Sequence, residues 1–239
     1  CYAGDEVPNH DVVIIGWDDH YPRENFQMEL EGDGAFLCQN SWGSEFGDGG
    51  RFWVSYYDQY IGKTNLVYTG LEKSDDSEKI YQSDLCGWVG QMGYGREDAY
   101  GANVYQTEVQ ETLHGAGFYA TGEHTSYEIY VARDLEHNKG FQKRQLMAKG
   151  EVRYSGYYTV EWDDGIELEP GERFAVILYV KTLGAVHPLA IEYRADDATS
   201  MADISDGEGY ISAGGAVWER AEENYQCNLC LKAYTTIRR

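Results

Sequence analysis

The chain has 239 residues, and 41 Asp and Glu against 19 Lys and Arg give it a formal net charge of −22, a surface that repels phosphate backbones and argues against a nucleic-acid partner. No apolar run is long enough to cross a membrane as a helix, and no basic stretch followed by an apolar one opens the chain as a signal peptide would. Hydrophobic residues at 42% supply a core. Five cysteines are too few for a disulfide scaffold at this size, and 21 Tyr with 28 Gly favour short strands over helices.

In chain order, the first feature is Asn9-His10-Asp11, leading into the β-branched run Val12–Ile15, which reads as a strand ending at Gly16. Asp18-Asp19-His20 follows as a solvated loop. Cys38-Gln39-Asn40-Ser41-Trp42-Gly43 closes the next strand and opens a glycine-rich loop, which leads into the aromatic strand Arg51–Val54. A His at a strand mouth can act as a general base if a fixed acceptor orients its second ring nitrogen. An Asn carbonyl can be that acceptor, and a neighbouring Trp can keep water off the bond.

Residues 72–78 (Glu-Lys-Ser-Asp-Asp-Ser-Glu) read as a linker between two aromatic-rich regions, so the domain boundaries fall at 1–72 and 79–239. The first region is small for an independent core and more acidic per residue than the second. Downstream, period-two alternation marks Ser126–Val131 and Gly156–Trp162 as strands, and the continuous apolar run Arg173–Val180 suits a strand buried on both faces. Glu169-Pro170-Gly171-Glu172 is a tight turn. Further strands are expected at 102–107, 113–121, 188–193, 209–213 and 229–234, and a short helix at 141–149. About eight short strands over this length are spaced as in a β-sandwich or jelly roll.

Two other patterns carry little chemistry. Cys227-x-x-Cys230 sits in a strand pattern without a second such pair, so packing or a disulfide is expected rather than zinc. Asp203–Glu208 offers oxygen ligands but fails the twelve-residue calcium-loop spacing. No cofactor and no metal is called for.

The segments around His10 and Asn40 resemble the His and Asn motifs of the papain-like cysteine peptidases. The carrying residues are Asn9-His10 before a strand and Gly16-Trp17, and Asn40-Ser41-Trp42-Gly43 before the glycine loop and an aromatic strand. The resemblance implies the β-barrel half of such a domain over 1–72, with His10 as the base, Asn40 orienting it and Trp42 shielding the pair. Asp11 departs from the usual small residue after the His. The 29 residues between His10 and Asn40 imply an inserted hairpin or loop at 21–34.

In this family the nucleophile precedes the His by well over a hundred residues, in a context that none of Cys1, Cys38, Cys86, Cys227 or Cys230 has. The chain is therefore expected to lack its thiol nucleophile and to be inactive alone, with the N-terminal half of the peptidase as its partner and peptides or proteins as substrates. Residues 79–239 resemble the lectin-like β-sandwich that follows papain-type domains in bacterial surface or secreted proteins, on Ser126–Val131, Leu168–Val176 and Cys230–Tyr234. That implies an extracellular or cell-surface location and a carbohydrate as a further candidate partner, with Trp88, Tyr94, Tyr100 and Trp218 as candidate stacking rings. The alternative function is a non-catalytic carbohydrate- or protein-binding module carrying an inactive peptidase remnant.

Overall fold

The computed structural model describes every residue except 5, 7, 64, 72, 74, 75, 134, 136, 238 and 239, together with the side chains of 137–139. Two compact units divide the chain, Cys1–Glu72 and Lys73–Arg239. Three residues of the expected linker, 72, 74 and 75, lie outside the described set. Its last residue, Glu78, already belongs to a strand.

The first unit is one antiparallel sheet of three strands in the order β1-β2-β3: β1 (Val13–Asp18), β2 (Ala35–Gln39) and β3 (Arg51–Ser55). Among the described residues it stays an open sheet and closes no barrel. β1 does not stop at Gly16 as its glycine suggested. The register shifts between Ile14 and Gly16, and this bulge carries pairing on to Asp18 opposite Ala35. Residues 21–34 form a loop with one 3-10 turn at Arg23–Asn25, closed by the Gly34 N–H donating to the Tyr21 carbonyl at 2.9 Å. The Tyr21 ring stacks on Trp53, with centroids 4.5 Å apart.

The second unit is almost entirely strand. Its elements are β4 (Glu78–Tyr81), β5 (Gly90–Met92), β6 (Asp98–Gln106), β7 (Glu111–Ala120), β8 (Thr125–Arg133), β9 (Gln145–Val152), β10 (Gly156–Leu168) and β11 (Arg173–Thr182). They continue with β12 (Leu189–Glu192), β13 (Gly209–Ser212), β14 (Glu219–Arg220), a one-turn helix α1 (Ala221–Tyr225), β15 (Asn228–Leu229) and β16 (Leu231–Ile237). A six-stranded sheet runs β14-β13-β6-β11-β8-β9, a four-stranded one β10-β7-β16-β4, and a small third sheet β15-β12-β5. All pairings are antiparallel, as a sandwich requires.

β11 lies at the centre, paired with β6 on one side and β8 on the other. Its alternate residues feed two clusters. Phe174, Val176, Leu178 and Val180 pack with Leu113 and Phe118 of β7 in the main core, while Ala175 and Ile177 pack with Ala102, Phe141 and Trp218 on the opposite side. The continuous apolar run is thus a doubly buried strand. The turn before it is also found, with Gly171 at φ +78° and the Glu172 N–H bonded to the Glu169 carbonyl at 3.0 Å.

The helix expected at 141–149 is not formed. Residues 137–143 make a 3-10 segment, and β9 starts at Gln145, pairing with β8 from Val131 opposite Gln145 to Thr125 opposite Val152. Leu146-Met147-Ala148-Lys149 has helix-forming composition, but hydrogen bonding along a long neighbouring strand outweighs so short a local preference.

Candidate functional site

His10 lies three residues before β1, and Asn40 directly follows β2. Because Val13 pairs with Gln39, the antiparallel ladder brings both residues to one end of the sheet. There the His10 Nε2 is 2.9 Å from the Asn40 Oδ1. The Ser41 backbone N–H also donates to that oxygen, at 2.8 Å, which fixes which way the Asn40 amide points. An atom that accepts from Ser41 is an acceptor for His10 too, so His10 Nε2 carries the proton of this bond. In the neutral ring, Nδ1 then holds the free lone pair.

Asn40 itself is buried, whereas His10 is exposed. The Trp42 indole lies beside the imidazole, with centroids 5.0 Å apart and planes tilted by 31°. Trp42 rests edge-to-face on Phe46 at 5.0 Å, and Phe46 in turn on Phe52 of β3 at 5.7 Å. A chain of aromatic contacts therefore ties the ring beside His10 back to the sheet. Asp11 is exposed.

The loop 41–50 works because of its glycines. Gly50 sits at φ +85°, and a Cβ there would fall 2.6 Å from Gln39 Nε2 and 3.0 Å from the Gly43 carbonyl oxygen. The bond from Asn40 N–H to the Gly50 carbonyl, at 2.9 Å, closes the loop onto the end of β2. Gln39 is a site-forming residue that the sequence reading passed over. Its side-chain amide donates to the carbonyls of Asn40 and Gly50, at 3.0 and 2.9 Å. The signal was only its adjacency to Asn40 at the end of a strand.

None of the five cysteines pairs with another. Burial raises the Cys38 thiol pKa, pushes Cys227 up to about 12 and raises Cys230 further still. Partial desolvation and then the Glu192 carboxylate raise that of Cys86. Reactive cysteines have depressed values, and these four are shifted the other way. Cys227 and Cys230 are packing residues, the latter with its thiol 3.3 Å from the Gly87 carbonyl oxygen. Asp203 accepts from the Ser205 N–H and hydroxyl, at 2.9 and 2.7 Å, and among the described residues no cluster of metal-ligating side chains assembles.

The four candidate stacking rings of the second unit are not exposed platforms. Trp218 is buried against Phe141 and Tyr100. Trp88 leans on Tyr119 at 5.9 Å, and Tyr94 and Tyr100 are half-buried against the two core clusters. In a two-sheet sandwich these large rings fill the core and its rim.

The model of one known family, the lectin-like domain, matches residues 80–235. The chain belongs to the lectin-like domain family. Two solved structures of the clostridial cysteine protease Cwp84 are similar to this lectin-like chain. One, after propeptide cleavage, has a TM-score of 0.81 at 28% identity, covering 96% of this chain and 58% of that one. The other comprises the cysteine protease and lectin-like domains of Cwp84, described as a surface layer associated protein of Clostridium difficile. It has a TM-score of 0.77 at 27% identity, covering 96% and 52%. The chain thus spans a little over half the length of these two proteins. No curated protein matches it in sequence.

Proposed function

We propose that residues 1–72 are the His- and Asn-bearing half of a papain-like cysteine peptidase, joined to a lectin-like accessory domain. The observation that carries this reading is the His10–Asn40 hydrogen bond, whose polarity leaves His10 Nδ1 as the free base beside Trp42. The likeness to the Cwp84 structures supports it, because 96% coverage of this chain must include most of the first unit as well as the second.

The chemistry follows from that geometry. A thiolate supplied by a nucleophile-bearing segment would pair with the imidazolium of His10, Nδ1 towards sulfur and Nε2 held by Asn40. After attack on a peptide carbonyl, His10 donates its Nδ1 proton to the departing amine. The neutral ring then takes a proton from the water that cleaves the acyl-enzyme. Trp42 and its aromatic support keep bulk water from competing for the Asn40 oxygen. None of the five cysteines stands in the sequence context of this family's nucleophile, so the thiol is supplied from outside these residues and the chain alone should have no turnover.

The exposed apolar side chains of β1 suit the same reading. Val13 is 63% and Trp17 70% exposed, and β1 is an edge strand. That surface is where the nucleophile-bearing half would pack. By the same analogy, the substrate is a peptide or protein, the location is the cell surface, and the lectin-like unit serves recognition, with a carbohydrate as its candidate ligand. No helix among the described residues is long and apolar enough to cross a membrane.

The test is reconstitution. The chain should show no peptidase activity by itself and gain it when the nucleophile-bearing segment is supplied upstream or added separately. His10→Ala should then abolish turnover, by at least about a hundred-fold for loss of the base. A reconstituted protein whose turnover survives His10→Ala would refute the assignment.

A further inference from the structure

We propose that Gln39 is the positioning residue of the His10–Asn40 pair: one side-chain amide holds the backbone from which the orienting Asn projects. The inference rests on the peptidase reading above and adds a residue to it.

The Gln39 Nε2 has two N–H bonds and two acceptors, the Asn40 carbonyl at 3.0 Å and the Gly50 carbonyl at 2.9 Å. Since both partners accept, the orientation of the amide is fixed. The Gly50 carbonyl also takes the Asn40 N–H, at 2.9 Å. Both backbone polar groups of Asn40 are thus tied to one node, the Asn40 C=O directly and the N–H through Gly50. The Gly50 N–H donates in turn to the Phe46 carbonyl at 2.7 Å, and Phe46 is the ring on which Trp42 rests. One amide therefore stabilises both the acceptor for His10 and the loop that carries its aromatic cover.

Space for this node exists only because residue 50 lacks a side chain, as a Cβ there would stand 2.6 Å from the Gln39 nitrogen. Without the Gln39 donors the Asn40 carbonyl would lose its partner and turn towards water, the Gly50 carbonyl would be held by the Asn40 N–H alone, and the Asn40 side chain would turn with its backbone. The His10 Nε2–H would then lose its fixed acceptor. The Nδ1–H tautomer, which cannot take a proton from a thiol at Nδ1, would gain population.

The experiment reads the tautomer of His10 directly, by long-range nitrogen–proton NMR correlation on the intact 239-residue chain at a pH where the ring is neutral. The variants are Gln39→Met, which keeps the length and removes both donors, and Gln39→Lys, whose ammonium can reach both carbonyls. Asn40→Ala marks full loss of the acceptor. The unaltered chain should be predominantly Nε2–H. Gln39→Met should raise the Nδ1–H fraction several-fold, approaching Asn40→Ala, and Gln39→Lys should return it towards the original value. A change that Gln39→Lys reverses is not generic unfolding.

If Gln39→Met leaves the tautomer ratio untouched while Asn40→Ala changes it, the proposal is wrong. It is also overturned if Asn40→Ala changes nothing, because the bond to be positioned is then absent. Should Gln39→Met fail to fold, the unaltered chain still decides. The Gln39 side-chain amide protons should exchange with deuterium at least about ten-fold more slowly than those of exposed Gln91, and equal rates would refute the proposal. In the reconstituted peptidase, Gln39→Met should lower kcat about ten-fold with KM nearly unchanged. There, turnover surviving His10→Ala would sink the peptidase reading while leaving the tautomer result intact.

Discussion

The two units of this chain handle their apolar residues in opposite ways. In the lectin-like unit, two sheets face each other and Phe118 and Phe174 are completely buried between them. In the first unit, a single sheet of three strands leaves Val13 and Trp17 mostly exposed on an edge strand. Both are built from β-branched and aromatic strands, so strand propensity is not what separates them. A sheet buries its apolar face only where a second layer lies against it, and only the second unit carries both layers within its own fold.

The contrast can be broken by substitution. Phe174→Ala empties the centre of the main core and should cost about 3–5 kcal/mol in urea unfolding followed by far-ultraviolet circular dichroism. A cost near 1 kcal/mol would show that the sandwich repacks around the hole.

Next in size is the buried ion pair beneath the four-stranded sheet, Lys232 Nζ to Asp84 Oδ2 at 2.7 Å. Burial pulls the Asp84 carboxyl pKa upward, and Lys232 offsets that pull. Lys232→Met should cost about 3 kcal/mol at neutral pH, because it strands a buried carboxylate. A carboxyl raised in the folded state favours folding while protonated and loses that contribution as pH rises through its folded value. The penalty of Lys232→Met should therefore shrink as the solution is acidified from pH 7 towards the ordinary carboxylate range. A penalty independent of pH would mean that Lys232 does not shift the Asp84 titration and that the cost arises from packing.

A smaller effect is expected at Glu172, whose pKa is depressed first by the hydrogen bonds from Arg133, at 2.5 and 2.9 Å. This pair is partly exposed, so Glu172→Gln should cost only about 0.5–1 kcal/mol at pH 7. Its stabilisation is present above the usual carboxylate range and is lost as pH falls through the depressed folded value. The melting temperatures of the variant and the unaltered chain should converge in acid, and a gap that persists there would point to packing.

The smallest effect, within about 0.5 kcal/mol, is expected for Trp17→Ala in this chain. A cost matching that of Phe174→Ala would erase the contrast between the two units. In a reconstituted peptidase the same substitution should cost more, if β1 is covered there.

What could be read from the sequence follows from the range of the forces involved. The three strands marked by alternation or by an apolar run, 126–131, 156–162 and 173–180, are formed, because side-chain period and burial are local properties, and so are those expected at 102–107, 113–121, 188–193 and 209–213. The strand expected at 229–234 is broken at Cys230 into β15 and β16, which belong to different sheets. Those that went unseen were β4, β5 and β14, too short to show a period, and β9. The β9 sequence Gln-Leu-Met-Ala-Lys-Gly-Glu-Val is made mostly of helix formers and becomes a strand through its pairing with β8. At the site, His10, Asn40 and Trp42 stood out because the segments that carry them resemble the His and Asn motifs of the papain-like peptidases. Gln39 could not be read in the same way. Its acceptors include a carbonyl eleven residues away, across a loop whose path only the folded glycines define.

The pairing of β4 with β16 has a mechanical consequence. Glu78 lies opposite Thr236 and Tyr81 opposite Ala233, so the strands by which the backbone enters and leaves the sandwich begin and end at the same edge of one ladder. Antiparallel hydrogen bonds run perpendicular to their strands. A pull between Glu78 and Thr236 would act along those bonds and load them in series rather than all at once. Tension transmitted through this unit would peel β4 from β16 rung by rung, starting at Thr236, before it strained the core around β11.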